Sequence, residues 1–253
     1  MYIIGGFAVD EESKVRGYRN DVYKSVDGET WDVVSHSNGW SGRMNHAVVV
    51  SGEKMYLFGG MQNGITYFDD MWESDDGATW IPVEGGTLPG KRSSFASTVD
   101  DNGIIYLLGG SYPDAKPDSN GAFDNKYGPG WEALWSYNPG GGSPSWTQLS
   151  APRWRTSLKA EFSLGYIDDS CIMLPGKANT SPRFSRNNST YSTEIFEGGS
   201  WRTDSVGPPI PPRYSYSSVI FDIDGIEYLF VIGGLSDNGP ENDVYIGNFG
   251  GIL

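Results

Sequence analysis

The sequence has little of what several large classes of protein require. It contains one cysteine, Cys171, so no disulfide can form within the chain. Acidic residues outnumber basic residues by 32 to 18, which gives a formal net charge of −14. Because phosphate binding needs a basic face, we expect no nucleic acid partner. The longest apolar runs, such as Tyr228–Ile232, have the length of a strand, so we expect no membrane span.

Helical periodicity is also missing, because Gly or Pro interrupts every apolar pattern of helical spacing after about one turn. The chain instead has 35 Gly, 15 Pro and 14% aromatic residues among its 253 residues. Many turn residues together with many aromatics are typical of short strands joined by tight connections. The composition therefore predicts an all-β fold, which we interpret as one domain over residues 1–253.

The start of the chain and its sequons bear on localisation. Met1 is followed at once by a strand-like segment, so we expect no signal peptide in this chain. Glycosylation sequons begin at Asn179, Asn187 and Asn188. These sequons favour an extracellular over a cytoplasmic location.

Self-comparison shows a repeat of about five copies with a period of roughly 50 residues. An apolar run ending in Gly-Gly occurs at 1–6, 55–60, 104–110 and 226–234, with a degenerate copy at 171–176. An acidic-then-aromatic segment follows each, at 20–23, 69–72, 132–135, 193–196 and 242–245. A tryptophan comes next in four copies, at Trp31, Trp80, Trp146 and Trp201. An arginine opens a further strand ahead of four of the runs, at Arg43, Arg92, Arg155 and Arg213.

This order of features resembles the kelch repeat, and the resemblance covers essentially the whole chain. It implies a kelch-type β-propeller of four-stranded antiparallel blades, with repeats at about 1–34, 43–83, 92–149, 155–203 and 213–247. Gly-Gly then allows a close approach of neighbouring blades, and the tryptophans fill the wedge between blades. The hairpins 25–31 and 74–80 look like shortened Asp-boxes, so their aspartates are expected to be structural.

The strands of one blade are named A to D from the channel outwards. The first repeat lacks strand A and the last lacks strand D. Two interpretations stay open. Either the chain is a five-bladed ring with two thin blades, or it is a fragment of a six- or seven-bladed ring, which is commoner in the family.

Alternating strand directions place the long B–C and D–A connections on one face, here called the loop face. Binding residues concentrate in long loops on a rigid scaffold. The four arginines Arg43, Arg92, Arg155 and Arg213 begin the A strands, so they are predicted to ring the channel mouth on this face. Trp40, Trp154 and Tyr214 lie near them in sequence, and Tyr216 follows. This mouth could bind a carboxylate, or each arginine could pair with an acidic neighbour or cap a loop carbonyl.

Function is predicted as a non-catalytic scaffold that binds a protein or glycan ligand, with a carboxylate as its expected recognition group. No catalytic residues, metal or cofactor are predicted, because His36 and His46 are the only histidines and the Tyr-His-Cys set of galactose-oxidase-like enzymes is missing. The enzymatic alternative is a sugar enzyme such as a sialic-acid mutarotase or a sialidase-like hydrolase. Its candidate acid/base residues are Glu132, Glu161 and His46, although His46 fits a packed strand residue better. Oligomeric state does not follow from the sequence.

Overall fold

The computed structural model describes residues 1–9, 16–111, 133–142, 144–151, 159–160, 163–167, 169–174, 177–178, 193–204, 213, 216–236 and 239–248. Within these residues all regular structure is β-strand, and no helix there could cross a membrane. The strands form five antiparallel blades in a ring, so the chain is an all-β propeller. This confirms the fold class predicted from the repeats.

The first two blades show how the repeats become sheets. Blade 1 contains β1 (Tyr2–Val9), β2 (Arg16–Lys24) and β3 (Asp32–Ser35). In blade 2, β4 (Ala47–Ser51) and β5 (Lys54–Phe58) lead through a short ribbon of β6 (Met61–Gln62) and β7 (Thr66–Tyr67) to β8 (Met71–Ser74) and β9 (Ile81–Pro82). The first blade therefore starts at strand B, as the repeat pattern predicts.

The remaining blades continue the same order. Blade 3 contains β10 (Ala96–Val99), β11 (Ile105–Leu108), β12 (Leu134–Tyr137) and β13 (Trp146–Gln148). A ribbon of β14 (Lys159–Ala160) and β17 (Lys177–Ala178) accompanies blade 4, which is built from β15 (Ser163–Ile167), β16 (Ser170–Leu174), β18 (Thr193–Glu197) and β19 (Ser200–Asp204). Blade 5 contains β20 (Ser217–Ile223), β21 (Ile226–Ser236) and β22 (Gly239–Asn248), and the described residues give it no strand D.

The core lies between the blades. One apolar cluster joins blades 1 and 2, and others join blades 2 and 3, blades 3 and 4, and blades 4 and 5. Trp80, Trp146 and Trp201 each lie in or against the cluster that joins their own blade to the preceding one. This is the wedge-filling role that the repeat pattern predicts for the tryptophans.

The Gly-Gly pairs sit where blades approach most closely. A Cβ built on Gly59 would lie 2.6 Å from Cε1 of Phe95, a residue of the next blade. A Cβ on Gly60 would lie 2.8 Å from Cβ of His46 within the same blade. Both glycines also have positive φ, at 64° and 95°, which side chains disfavour. Sterics and backbone conformation therefore both require glycine here.

Strand C of blade 4 differs from the repeat alignment. The sequence pattern places Phe196 in the aromatic position that Trp72 occupies in blade 2. In the structure Met173 instead pairs with Glu194, in the way that Leu57 pairs with Trp72. The alignment is thus wrong by two residues. A shift of two keeps every side chain on the same face of the strand, so the apolar pattern cannot reveal it.

Candidate functional site

The ends of three strands of blade 2 meet at the loop face. Strand A begins there after its arginine, strand B ends there before Gly-Gly, and strand C begins there after an acidic residue. In blade 2 these residues are Arg43, Gly59 and Asp70. The same juxtaposition recurs in blade 5 with Arg213, Gly233 and Asp243.

Arg43 is fully buried, with 0% of its side chain exposed. Its Nη1 donates to Oδ1 of Asp70 at 2.5 Å and its Nη2 donates to Oδ2 at 2.8 Å, which is a bidentate ion pair. Nη1 also donates to the carbonyl of Gly59 at 2.8 Å, and Nε donates to the carbonyl of Ser41 at 3.0 Å. The guanidinium carbon lies 3.9 Å from the ring centroid of Phe68. Arg43 therefore clamps strands B and C of its own blade.

The carboxylate of this clamp faces the solvent more than the guanidinium does. The side chain of Asp70 is 38% exposed, and its Oδ2 also accepts a hydrogen bond from Nε1 of Trp72 at 2.8 Å. Partial burial raises the pKa of Asp70, but the hydrogen bonds and charge of Arg43 outweigh that effect and the pKa is lowered. Asp70 is therefore a fixed, ionised carboxylate at the loop face.

Arg213 repeats the arrangement in blade 5. Its Nη1 and Nη2 donate to the two carboxylate oxygens of Asp243, the second at 3.1 Å, and Nη1 donates to the carbonyl of Gly233 at 2.9 Å. Its guanidinium carbon lies 4.7 Å from the ring centroid of Tyr245. The side chain of Arg213 is 3% exposed and that of Asp243 is 38% exposed. The hydrogen bonds from Arg213 lower the pKa of Asp243, so this carboxylate is ionised too.

The described hydrogen-bond partners of Arg92 are backbone carbonyls. Its Nη2 donates to the carbonyl of Pro89 at 2.7 Å, Nη1 to that of Gly109 at 3.1 Å and Nε to that of Gly90 at 3.3 Å. Leu107 pairs with Trp135, so Ala133 stands at the position that Asp70 has in blade 2. Burial lowers the pKa of Arg92 to about 9.

Trp40 and His46 pack together between blades 1 and 2. Trp40 is 1% exposed, and its ring lies edge-on to Trp80 with centroids 6.2 Å apart. The centroids of Trp40 and His46 are 6.3 Å apart. Nε1 of Trp40 and Nδ1 of His46 are both sealed from solvent and have no hydrogen-bond partner among the described residues. Trp40 is thus part of the blade junction.

His46 keeps some contact with solvent as a residue, although its Nδ1 is sealed. Burial, followed by the positive charge of Arg43, lowers the pKa of His46 to about 4, so the imidazole is neutral at pH 7. The same position, three residues after the arginine, carries Phe95 in blade 3 and Tyr216 in blade 5. Phe95 stacks on Phe58, with centroids 5.5 Å apart. The position therefore holds a packed aromatic ring in each of these blades.

In the Asp-box-like hairpins, serine and aspartate side chains accept hydrogen bonds from backbone amides of the same turn. Oδ1 of Asp76 accepts hydrogen bonds from the amides of Ala78 and Thr79 at 2.8 and 2.9 Å. Oγ of Ser74 accepts one from the amide of Gly77 at 2.8 Å. In blade 1, Asp27 bonds the amides of Glu29 and Thr30 in the same way, and these bonds lower its pKa to about 2. These aspartates fix turns.

Several predicted residues lie outside the described part of the chain: Arg155, Trp154, Tyr214, Glu132 and Glu161. Of the predicted set, the structure places Arg43, Arg92 and Arg213 at the loop face, and Trp40 near Arg43 in the junction of blades 1 and 2. Sequence reasoning noted Asp70 and Asp243 as pattern residues but gave them no role. The signal that could have identified these aspartates as arginine partners is their position. Each lies two residues before the aromatic residue of strand C, in a repeat in which an arginine precedes strand A. Within the described residues, no group of His, Cys, Asp and Glu could hold a metal ion.

A cavity of about 350 Å³ lies in the channel between the inner strands of blades 3, 4 and 5. Hydroxyl groups of Thr98, Tyr166 and Ser218 line it together with the carboxyl groups of Asp101 and Glu227. No basic side chain is among its lining residues. Hydroxyl and acidic residues therefore line this cavity together with apolar ones such as Leu164 and Ile220.

Fold and site together define a β-propeller in which arginine–aspartate ion pairs hold the strand ends at the loop face of blades 2 and 5. Comparisons with known proteins agree on the fold. The family model described as the DUF6242 beta propeller domain matches residues 1–119. Among solved structures, "Structure of YjhT" aligns with a TM-score of 0.73 at 16% sequence identity, and the alignment covers 98% of this chain and 80% of that chain. At this identity the similarity shows the fold alone.

Proposed function

We propose that this propeller is a non-catalytic scaffold that binds a protein or glycan ligand on its loop face. The observation that carries this proposal is the pair of carboxylates, Asp70 and Asp243. Each is 38% exposed and held by two hydrogen bonds from a buried arginine. Fixed polar groups at the base of long loops are the arrangement that binding sites on rigid scaffolds use.

The clamps also bear on the chemistry of the ligand. A buried arginine that already holds an aspartate presents that aspartate, rather than itself, to an incoming group. Asp70 and Asp243 accept hydrogen bonds, so they suit sugar hydroxyls or the cationic side chains of a protein partner. A carboxylate-bearing ligand stays a prediction that depends on Arg155.

We also propose that the repeats are of kelch type. The features that support this assignment are the Gly-Gly end of strand B, the aromatic of strand C and the tryptophan of strand D. Glycan binding is part of the same proposal, because the partly exposed rings of Phe68 and Tyr245 lie beside the two clamps, each over the guanidinium of its arginine, and aromatic rings pack well against sugars.

A binding panel tests the proposal. Neutral glycans, sialic acid and basic peptides are titrated against the wild-type chain and against Asp70→Asn and Asp243→Asn. Asp224→Asn, in a turn on the opposite face, is the matched control. Binding that weakens at least about tenfold in the first two variants but not in the control supports the proposal, since removing a charged hydrogen-bond partner costs about 1.5–3 kcal/mol.

The same preparations are assayed for turnover of sialic acid and its glycosides. Turnover by the wild-type chain would overturn the non-catalytic assignment in favour of a mutarotase or sialidase-like enzyme. Binding that is unchanged in both Asp70→Asn and Asp243→Asn would show that these carboxylates are not part of the binding site. Preferential binding of sialic acid over neutral glycans would support the prediction that the ligand bears a carboxylate.

A further inference from the structure

The cavity between blades 3, 4 and 5 is bounded by strands that are paired on one side only. Strands β10, β15 and β20 are the A strands of these blades, and each is the edge strand of its sheet. An edge strand presents backbone N–H and C=O groups that no neighbouring strand pairs. The volume of about 350 Å³ falls within the range of about 300–1,000 Å³ that is typical of small-ligand pockets. The cavity therefore has the size and the hydrogen-bonding wall of a site for a small compound.

Two carboxyl groups mark one end of this cavity. Asp101 lies in the turn between β10 and β11, and Glu227 is the second residue of β21, directly after the turn that follows β20. Both turns join strand A to strand B, so they lie at the end of the channel opposite the loop face, here called the turn face. The cavity is therefore separate from the Arg43–Asp70 clamp.

Negative charge is concentrated around Tyr166, which also lines the cavity. Its hydroxyl group donates to Oδ1 of Asp169 at 3.3 Å. Burial and, after it, the negative charges of Asp100, Asp169 and Asp101 raise the pKa of Tyr166 to about 12. The phenol is therefore neutral at pH 7, and its oxygen keeps a lone pair that can accept a further hydrogen bond. Together with Glu227, these groups make the turn-face end of the cavity attractive to a cation.

Contacts between the blades hold the wall of the cavity in place. The ring of Tyr166 in blade 4 stacks on that of Tyr106 in blade 3, with centroids 6.2 Å apart and an interplanar angle of 11°. The hydroxyl group of Ser218 in blade 5 is hydrogen-bonded to that of Ser163 in blade 4. A wall that is fixed before a ligand arrives loses little conformational entropy on binding.

We propose that this cavity is a second binding site, independent of the loop face, and that its ligand is a small aliphatic amine. An ammonium group has three donors and no acceptor, and it forms charge-assisted hydrogen bonds with carboxylates such as those of Asp101 and Glu227. The apolar lining residues Leu164, Val219 and Ile220 suit an alkyl chain. An organic cation fits better than a metal ion, since no group of His, Cys, Asp and Glu in the described residues could hold a metal.

Titration calorimetry with cadaverine, a linear diamine, tests the proposal. Pentanediol has the same carbon chain without charge and is the matched neutral probe. Salt of about 0.15 M limits the general attraction between an acidic protein and any cation. We expect the wild-type chain to bind cadaverine saturably at one site and not to bind pentanediol.

Charge variants locate the site. Asp101→Asn and Glu227→Gln each remove one carboxylate from the cavity and are expected to weaken cadaverine binding at least about tenfold. Glu53→Gln makes the same change of charge in the exposed A–B turn of blade 2, outside the cavity, and is expected to leave binding unchanged. Asp101 is exposed in its turn, so its variant tests the site even if Glu227→Gln impairs folding.

A variant that fills the cavity gives a second test. Val219 lines the cavity and is 37% exposed, so Val219→Trp enlarges a side chain that is not enclosed in a blade junction. We expect this variant to lose cadaverine binding. Val50→Trp, at a position that is 61% exposed in strand A of blade 2, is the control. Circular dichroism verifies that each variant is folded.

Four results would overturn the proposal. They are the absence of saturable cadaverine binding to the wild-type chain, equal binding of pentanediol, equal weakening in Glu53→Gln and Asp101→Asn, and unchanged binding in a folded Val219→Trp variant.

Discussion

Arg43 and Asp70 are 27 positions apart in the chain, yet they form two parallel hydrogen bonds at the loop face. The guanidinium is buried while the carboxylate reaches solvent. The buried guanidinium is therefore a structural clamp, and the exposed aspartate is the group that we propose meets a ligand.

Replacing Arg43 should destabilise the fold even when charge is kept. Arg43→Lys retains a cation but cannot make the bidentate contact or reach the carbonyls of Ser41 and Gly59 as well. We expect a loss of about 2–4 kcal/mol in the free energy of unfolding, measured by urea titration. Lys54→Ala removes the exposed ion pair with Glu73 and should cost less than about 1 kcal/mol. Equal losses in the two variants would contradict the clamp.

The buried imidazole of His46 should make stability depend on pH. Its pKa is lowered from 6.5 to about 4 in the folded protein, so below pH 6.5 the unfolded chain binds more protons than the folded one. Stability therefore falls as the pH drops from 6.5 to 4, by about 2–3 kcal/mol. His46→Phe, which copies Phe95 of blade 3, should remove this part of the decline. Urea unfolding at pH 7 and pH 4.5 measures it, and an equal decline in both proteins would refute the assignment.

Two glycines separate backbone strain from steric clash. Gly52 and Gly59 have nearly the same φ, 61° and 64°. A Cβ on Gly52 meets nothing within 4 Å, whereas one on Gly59 lies 2.6 Å from Phe95. Gly52→Ala should therefore cost about 1 kcal/mol, and Gly59→Ala about 2 kcal/mol more. Thermal unfolding distinguishes them, and similar melting temperatures would show that the junction yields to a methyl group.

The Asp-box-like hairpin of blade 2 should depend on one of two adjacent aspartates. Asp76→Ala removes the acceptor for the amides of Ala78 and Thr79, and we expect a loss of about 1–2 kcal/mol. Asp75→Ala changes the same charge one residue earlier and serves as the control, with a loss below about 0.5 kcal/mol. Chemical denaturation of the two variants gives the comparison. A larger loss in Asp75→Ala than in Asp76→Ala would contradict the prediction that Asp76 holds the turn.

Predicting the site from the sequence had a definite limit. The spacing of arginine, Gly-Gly and acidic residue places Arg43, Gly59 and Asp70 at the same end of three strands. It does not tell whether the guanidinium turns outwards to a ligand or inwards to the aspartate, because both conformations share one backbone. The difference between Arg43 and Arg92 shows the same limit, since it depends on which residue, Asp70 or Ala133, the sheet register brings opposite strand B.

What the sequence by itself determined is the repeat: its all-β character, the order of strands in each blade and the places where only glycine fits. These follow from local chemistry and from periodicity, which a sequence displays directly. The tertiary structure decided the register of strand C in blade 4, the burial of Arg43, Arg92 and Arg213, and the exposure of apolar side chains such as Ile3 in blade 1 and Val244 in blade 5. Each of these depends on which residue lies opposite another across a sheet or a junction, and that is set only when the blades pack together.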